Sequence, residues 1–265
     1  MRVDPDATDP RLDPYRHVGD PSWLKAQGLF VAEGRLVVER LIASRRYPVE
    51  SILVTPAAFM AMEAAFASTD VEVLVCRPDA LEQVTGFNFH RGCLALARRP
   101  TGPEDEGWID RDQTILGLDA VGNPDNVGSL FRTAAALGAG GLVITAASAD
   151  PLYRKAVRTS MGAVLQVPWV RVPTATDAMR RLRQHEYQIV ALTPRADAIL
   201  VDELAALRLR RVAVMLGSEG DGLSNAILDA ADYCVRIPQA PGVDSLNVTV
   251  AAAIALHTLR AHPPR

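Results

Sequence analysis

Residues 114–132 read TILGLDAVGNPDNVGSLFR. An apolar run (114–120) ends in a polar turn of Gly, Asn and Pro, and a helix opens behind it. The run lacks polar alternation, so it predicts a strand covered on both faces, as in a parallel sheet under helices. Asp125 or Asn126 can cap the helix, predicted over 127–137, because a short polar side chain accepts from the free amides of a first turn. Outward from this unit the pattern repeats. GLVIT (141–145), VPWVRV (167–172), YQIVALT (187–193), RVAVMLG (211–217) and YCVRIP (233–238) read as strands. Segments 174–184 and 223–230 and an Ala-rich 246–259 read as helices. The alternation predicts an α/β domain built on a parallel sheet.

Upstream lies a smaller alternating block. Residues 1–20, rich in Asp and Pro, read as an extended arm. After Trp23, Leu36, Val37, Arg40, Leu41 and Ser44 fall at helical spacing. Segments 51–55, 71–76 and 91–97 read as strands, with helices at 56–66 and 78–84 between them. RRPTGPEDEGWIDRD (98–112) breaks the pattern with Pro100, Gly102 and Pro103. The expected organisation is an arm (1–20), a small α/β domain (21–99), a linker (100–112) and a larger α/β domain (113–265).

Composition narrows the function. Of 265 residues, 49% are hydrophobic and 22% charged, which excludes disorder over most of the chain. No apolar run reaches the ~18 residues of a membrane-spanning helix, so no membrane role is expected. The acidic, Pro-rich start is unlike a secretory signal. A net charge of −3 argues against a protein that coats nucleic acid non-specifically, yet allows a local basic patch. Cys76, Cys93 and Cys234 are widely spaced in apolar segments and read as buried thiols, which fits a reducing compartment such as the cytoplasm. No metal-ligand spacing occurs, and no metal is expected.

Three constellations can carry chemistry. In the first, Arg132 follows Asn126 by six positions, about 240° around a helix, so the two project from different stripes. The planar donor fork of Arg132 suits phosphate, although a capped helix with a surface Arg would read the same way. The second, LGSEGDGL (216–223), sets three glycines behind a strand. They allow either close approach of a ligand or a tight turn. It lacks the Lys-Ser/Thr ending of a P-loop, and the chain has no GxGxxG. In the third, IPQAPGVDSLN (237–247), Asp244 or Ser245 can cap the last helix, leaving Asn247 in a first turn able to favour an anion. Ala251–Ala253 form a narrow face suited to close packing, in the core or across a subunit interface.

Taken in this order, NPDNVGSLFRTAAALGA, LGSEGDGLS and IPQAPGVDSLNVTVAAAIAL resemble the three motifs of the SpoU/TrmH-type RNA ribose 2′-O-methyltransferases, members of the SPOUT superfamily. The resemblance runs over residues 112–262. Segment 28–97 resembles the L30e-like substrate-binding domain often fused in front. The resemblance implies a parallel α/β sheet with a C-terminal trefoil knot, S-adenosylmethionine as cofactor, and a homodimer through the knot region. It implies that Leu216, Gly217, Ile237 and Leu246 contact the cofactor. Asn126, Arg132, Glu219, Ser245 and Asn247 fall on its catalytic and substrate-binding positions. Arg132 would bind the phosphate beside the ribose and stabilise developing alkoxide, since a guanidinium stays protonated.

This chain departs from the family pattern at one motif. The third motif usually reads Ile-Pro-Met; here Gln239 replaces the Met, Pro241 takes a glycine position, and Gly242 follows. Arg91, Arg154, Lys155 and Arg158 are candidate RNA contacts, with a solvated basic face as the alternative. Phe87, Phe89 and His90 beside Arg91 would stack on unpaired bases or pack on their own domain. The fused first domain favours ribosomal RNA over tRNA as partner. A non-catalytic RNA-binding protein on the same frame is the alternative, and the five retained polar residues argue against it.

Overall fold

The structure, a computed structural model, describes residues 2–3, 5–86, 91–101, 107–111, 113–240, 242 and 245–261. Phe87, Phe89, His90, Pro241 and Asp244 lie outside the described residues. The chain divides into two compact units, one of residues 1–103 with 151–166, the other of 104–150 with 167–265.

The first unit is built on a mixed sheet of five strands: β1 (Arg2–Val3), β2 (Leu29–Glu33), β3 (Val49–Val54), β4 (Glu72–Val75) and β5 (Cys93–Arg98). Their order is β1-β4-β3-β5-β2, with β5 antiparallel to both β2 and β3. β2 is absent from the strands predicted above. All five of its residues are buried, so it shows no alternation to read.

The arm expected over 1–20 is extended only at β1 (Arg2–Val3) and then forms a 3-10 turn (Pro10–Leu12) and a short helix (Asp13–Arg16). Leu12, Tyr15 and Val18 are buried in one core cluster with Leu53, Leu74, Leu94 and Leu96. Three-residue spacing puts those apolar side chains on one stripe, which outweighs the Asp/Pro composition. The Tyr15 hydroxyl is 2.8 Å from Ser51 Oγ.

Residues 151–166, a helix (Arg154–Thr159) and a 3-10 turn (Ala163–Leu165), also belong to this first unit, although they fall within the range expected for the larger domain. Glu33, at the end of β2 and only 7% exposed, accepts from Arg154 Nε at 2.9 Å. Arg40 Nη1 donates to the Met161 carbonyl at 2.7 Å. A buried carboxylate is tolerated only when paired, so this contact holds the segment in place.

The second unit carries seven strands, all parallel: β6 (Thr114–Leu118), β7 (Leu142–Thr145), β8 (Trp169–Val172), β9 (Gln188–Leu192), β10 (Ile199–Leu200), β11 (Val212–Leu216) and β12 (Tyr233–Arg236). Their order is β10-β12-β9-β11-β6-β7-β8. Within the run RVAVMLG (211–217), Val212–Leu216 form β11 between β9 and β6 and are buried throughout. The linker expected over 100–112 is partly core. Trp108 and Ile109 are buried in this unit's hydrophobic cluster, and a Cβ on Gly141 would meet the Trp108 ring at 2.2 Å.

Candidate active site at the carboxyl edge of the parallel sheet

The ends of β6 and β11 lie side by side, joined by Asp119 N donating to the Leu216 carbonyl at 2.9 Å. From β6 the chain proceeds to β7 and β8 on one side, while β9, β12 and β10 lie on the other side of β11. That division is a topological switch point, where open parallel sheets bind their ligands beyond the strand ends.

The turn after β6 is fixed by Thr145. Its hydroxyl donates to Asp119 Oδ1 at 3.0 Å and accepts from Ala120 N at 3.3 Å. Ala120 adopts φ of 54°, a left-handed conformation rare outside glycine. Nothing in the sequence signals it. The following helix runs Pro124–Leu137 and is capped by Asn123, whose Oδ1 accepts from Asp125 N at 2.9 Å. Neither Asp125 nor Asn126 is the cap. Pro124 occupies the first helical position, where its missing N–H costs nothing, and this moves the start three residues upstream of 127.

Freed from capping, Asn126 joins the other two motifs. Its Nδ2 donates to Glu219 Oε1, and its Oδ1 accepts from Asn247 Nδ2 at 3.2 Å. Asn247 Oδ1 accepts in turn from Thr249 N at 2.9 Å, and its carbonyl accepts from Ala251 N at 3.0 Å. Asn247 therefore stands just before the last helix, Val248–Ala261, and caps it, in the place expected for Asp244 or Ser245. The result is a one-way chain of donors, from Thr249 N through Asn247 and Asn126 to the Glu219 carboxylate. It ties residues 93 and 121 positions apart to one point.

Glu219 is presented by a loop that closes on itself. Gly222 N donates to the Ser218 carbonyl at 3.2 Å and Asp221 N to Ser218 Oγ at 3.1 Å. A Cβ on Gly217 would lie 2.2 Å from the backbone carbon of Gly222. This glycine is thus required by the chain's own crossing, before any ligand is considered.

The structure does not bring every expected residue into that chain. Arg132 and Ser245 are exposed, and among the described residues their side chains make no hydrogen bond or ion pair. Arg132 stands about 9 Å further along its helix than Asn126, on a different stripe. Of the residues expected at the cofactor, Leu216 is buried at the end of β11, Gly217 follows it, and Ile237 and Leu246 are half-buried on either side of the third motif's loop. Two oxygens of this part of the chain, Gln239 Oε1 and Thr249 Oγ1, are buried and have no hydrogen-bond partner among the described residues. An unsatisfied acceptor suits a ligand that offers N–H or O–H donors.

All four candidate RNA contacts fall in the first unit. Arg91 lines an open cavity of about 550 Å³ there, with Gly34, Arg35, Glu39 and Met161. Arg154 is engaged by Glu33, and Arg158 Nη1 stands 3.9 Å from the same carboxylate. Lys155 is exposed. Among the described residues, no cluster of His, Cys, Asp and Glu could hold a metal ion, and no helix is long and apolar enough to cross a membrane. Cys76 and Cys93 are buried, whereas Cys234 is half-buried, its Sγ 3.5 Å from the Leu228 carbonyl.

Comparison with known proteins agrees with this fold. Residues 113–257 match the SpoU rRNA methylase family. A tRNA/rRNA methyltransferase of Mycobacterium bovis, itself uncharacterized, is 37% identical over 259 residues, covering 96% of this chain and 89% of that protein. A 23S rRNA (guanosine-2′-O-)-methyltransferase, RlmB of Nitrosomonas europaea, is 33% identical over 205 residues, 75% of this chain and 77% of its own. Among solved structures, an AdoMet-bound rRNA methyltransferase from Sinorhizobium meliloti superimposes with a TM-score of 0.82 at 25% identity, covering 99% of this chain and 98% of that one. The parallel sheet and these likenesses together place the chain in the SpoU rRNA methylase family, with its SPOUT fold.

Proposed function

We propose that this RNA methyltransferase, whose methyl donor is S-adenosylmethionine, acts on a ribose 2′-hydroxyl of ribosomal RNA. The observation that carries the reading is the hydrogen-bonded chain Asn247–Asn126–Glu219, which unites the three motifs at the carboxyl edge of the sheet. The AdoMet-bound structural relative and the 2′-O-methylating 23S rRNA relative support the donor and the acceptor.

Leu216, Gly217, Ile237 and Leu246 would hold the donor, between the loop after β11 and the segment before the last helix. When bound, it supplies a methyl group on a positively charged sulfur. The residues of this chain must then make an alcohol nucleophilic and align it. Arg132, exposed and without a partner among the described residues, binds the phosphate next to the reacting ribose and stabilises negative charge on the 2′-oxygen. That phosphate takes the proton, because a guanidinium does not give one up. Asn126 and Asn247 hold the two loops in register, Glu219 anchors them, and Ser245 contacts the RNA backbone.

Arg91 and Arg35 on the first unit's cavity, with Lys155 and Arg158, supply phosphate contacts for the RNA outside the reacting nucleotide. The protein works as a homodimer through the last helix, where Val250 is 47% exposed beside Ala251–Ala253. It works in the cytoplasm, where its buried thiols stay reduced. The test is mass-spectrometric mapping of ribose methylation in total rRNA and tRNA from cells with and without the gene. Loss of one 2′-O-methyl in rRNA is expected. Loss confined to tRNA would overturn the choice of RNA, and loss of a base methylation would overturn the ribose assignment.

A further inference from the structure

Gln239 lies three residues past the end of β12. Its Oε1 is buried and has no hydrogen-bond partner among the described residues. A buried acceptor left unsatisfied is costly, and native structures keep one where something else fills it. The segment between Ile237 and Leu246 thus carries a buried side-chain carbonyl oxygen that finds no donor among the described residues.

We propose that Gln239 is a specificity-determining residue of the donor pocket, whose side-chain carbonyl accepts a hydrogen bond from an N–H of bound S-adenosylmethionine. The inference rests on the pocket assignment made above. The donor carries two kinds of N–H, the exocyclic amine of adenine and the ammonium of its methionyl end, and either satisfies the oxygen.

The test is Gln239→Met, which keeps side-chain length and removes the acceptor. Calorimetry should show S-adenosylmethionine binding weakened roughly 2- to 12-fold, the worth of one net hydrogen bond. The ligand-free melting temperature should hold or rise, because an unsatisfied buried oxygen has gone. Titration with 5′-methylthioadenosine, which keeps adenine but lacks the amino-acid end, tells the two sources apart. Weakening of both ligands assigns the adenine amine, and weakening of S-adenosylmethionine alone assigns the ammonium. Unchanged affinity for both would overturn the proposal, as would a fall in melting temperature together with affinity, which would mean that the amide supports the loop. Hydrogen exchange on the wild-type protein tests the pocket separately. Protection of 216–223 and 237–247 by S-adenosylmethionine with unchanged Gln239→Met binding refutes Gln239 alone. No protection there refutes the pocket and the proposal with it.

Discussion

The two units differ in where particular polar groups lie. In the first, Glu33 pairs with Arg154 and Tyr15 with Ser51 in the interior, and Cys93 is enclosed at the start of β5. In the second, the chain Asn247–Asn126–Glu219 lies at the exposed edge of the sheet, Arg132 is exposed, and Gln239 keeps an unsatisfied oxygen. Matched burial stabilises a fold, whereas exposed or unmatched donors and acceptors remain available to a ligand. The contrast supports the proposal that the chemistry belongs to the second unit, with structural roles for the buried groups of the first.

The sharpest way to break the contrast is Arg132→Ala. Methyl transfer should fall on the order of 10²–10³-fold, as for loss of one group stabilising developing negative charge, with donor affinity and melting temperature nearly unchanged. Single-turnover transfer of labelled methyl to rRNA checks it, and full activity would refute the role of Arg132. Glu33→Ala should do the reverse. Removing the carboxylate takes one partner from the partly buried Arg154 and should cost about 1–3 kcal/mol of stability, read by chemical denaturation. Transfer per folded molecule should be retained.

Asn247→Ala should show both effects in small measure. Loss of the cap costs about 1 kcal/mol, and loss of the bond to Asn126 slows transfer by loosening the loops. An unchanged rate would separate the hydrogen-bonded chain from catalysis. The mildest test is alkaline titration. Burial pushes the Cys93 thiol from its ordinary 9.0 up to about 12 and raises the Tyr15 phenol above its ordinary 10.0. Both groups bind their protons more tightly folded than unfolded. The stability this gives is present below about pH 9 and is lost as pH climbs toward 12. Tyrosine ionisation of Tyr15 should therefore coincide with unfolding and not precede it.

The parallel sheet was legible because buried strands alternate with helices, and Asn126, Glu219 and Asn247 because the three motifs that hold them resemble those of the family. What escaped the sequence depended on tertiary pairing. β2 is buried along its whole length and shows no period. Segment 151–166 joins the first unit through Glu33 and Arg40, residues more than a hundred positions away. The caps moved because three polar residues competed at each helix start, and the winners, Asn123 and Asn247, were settled by where Pro124 and Val248 begin the helices. Gly217 read as allowing either a close ligand or a tight turn, and the crossing of its own loop by Gly222 requires a glycine there.

The central claim is that the loops tied together by Asn126 hold the methyl donor. A crystal structure of the protein with S-adenosylmethionine tests it most directly. The account predicts the donor between residues 216–223 and 237–247, with the bonds from Asn247 to Asn126 and from Asn126 to Glu219 intact. Electron density for the donor on the first unit, or at the opposite edge of the parallel sheet, would contradict it.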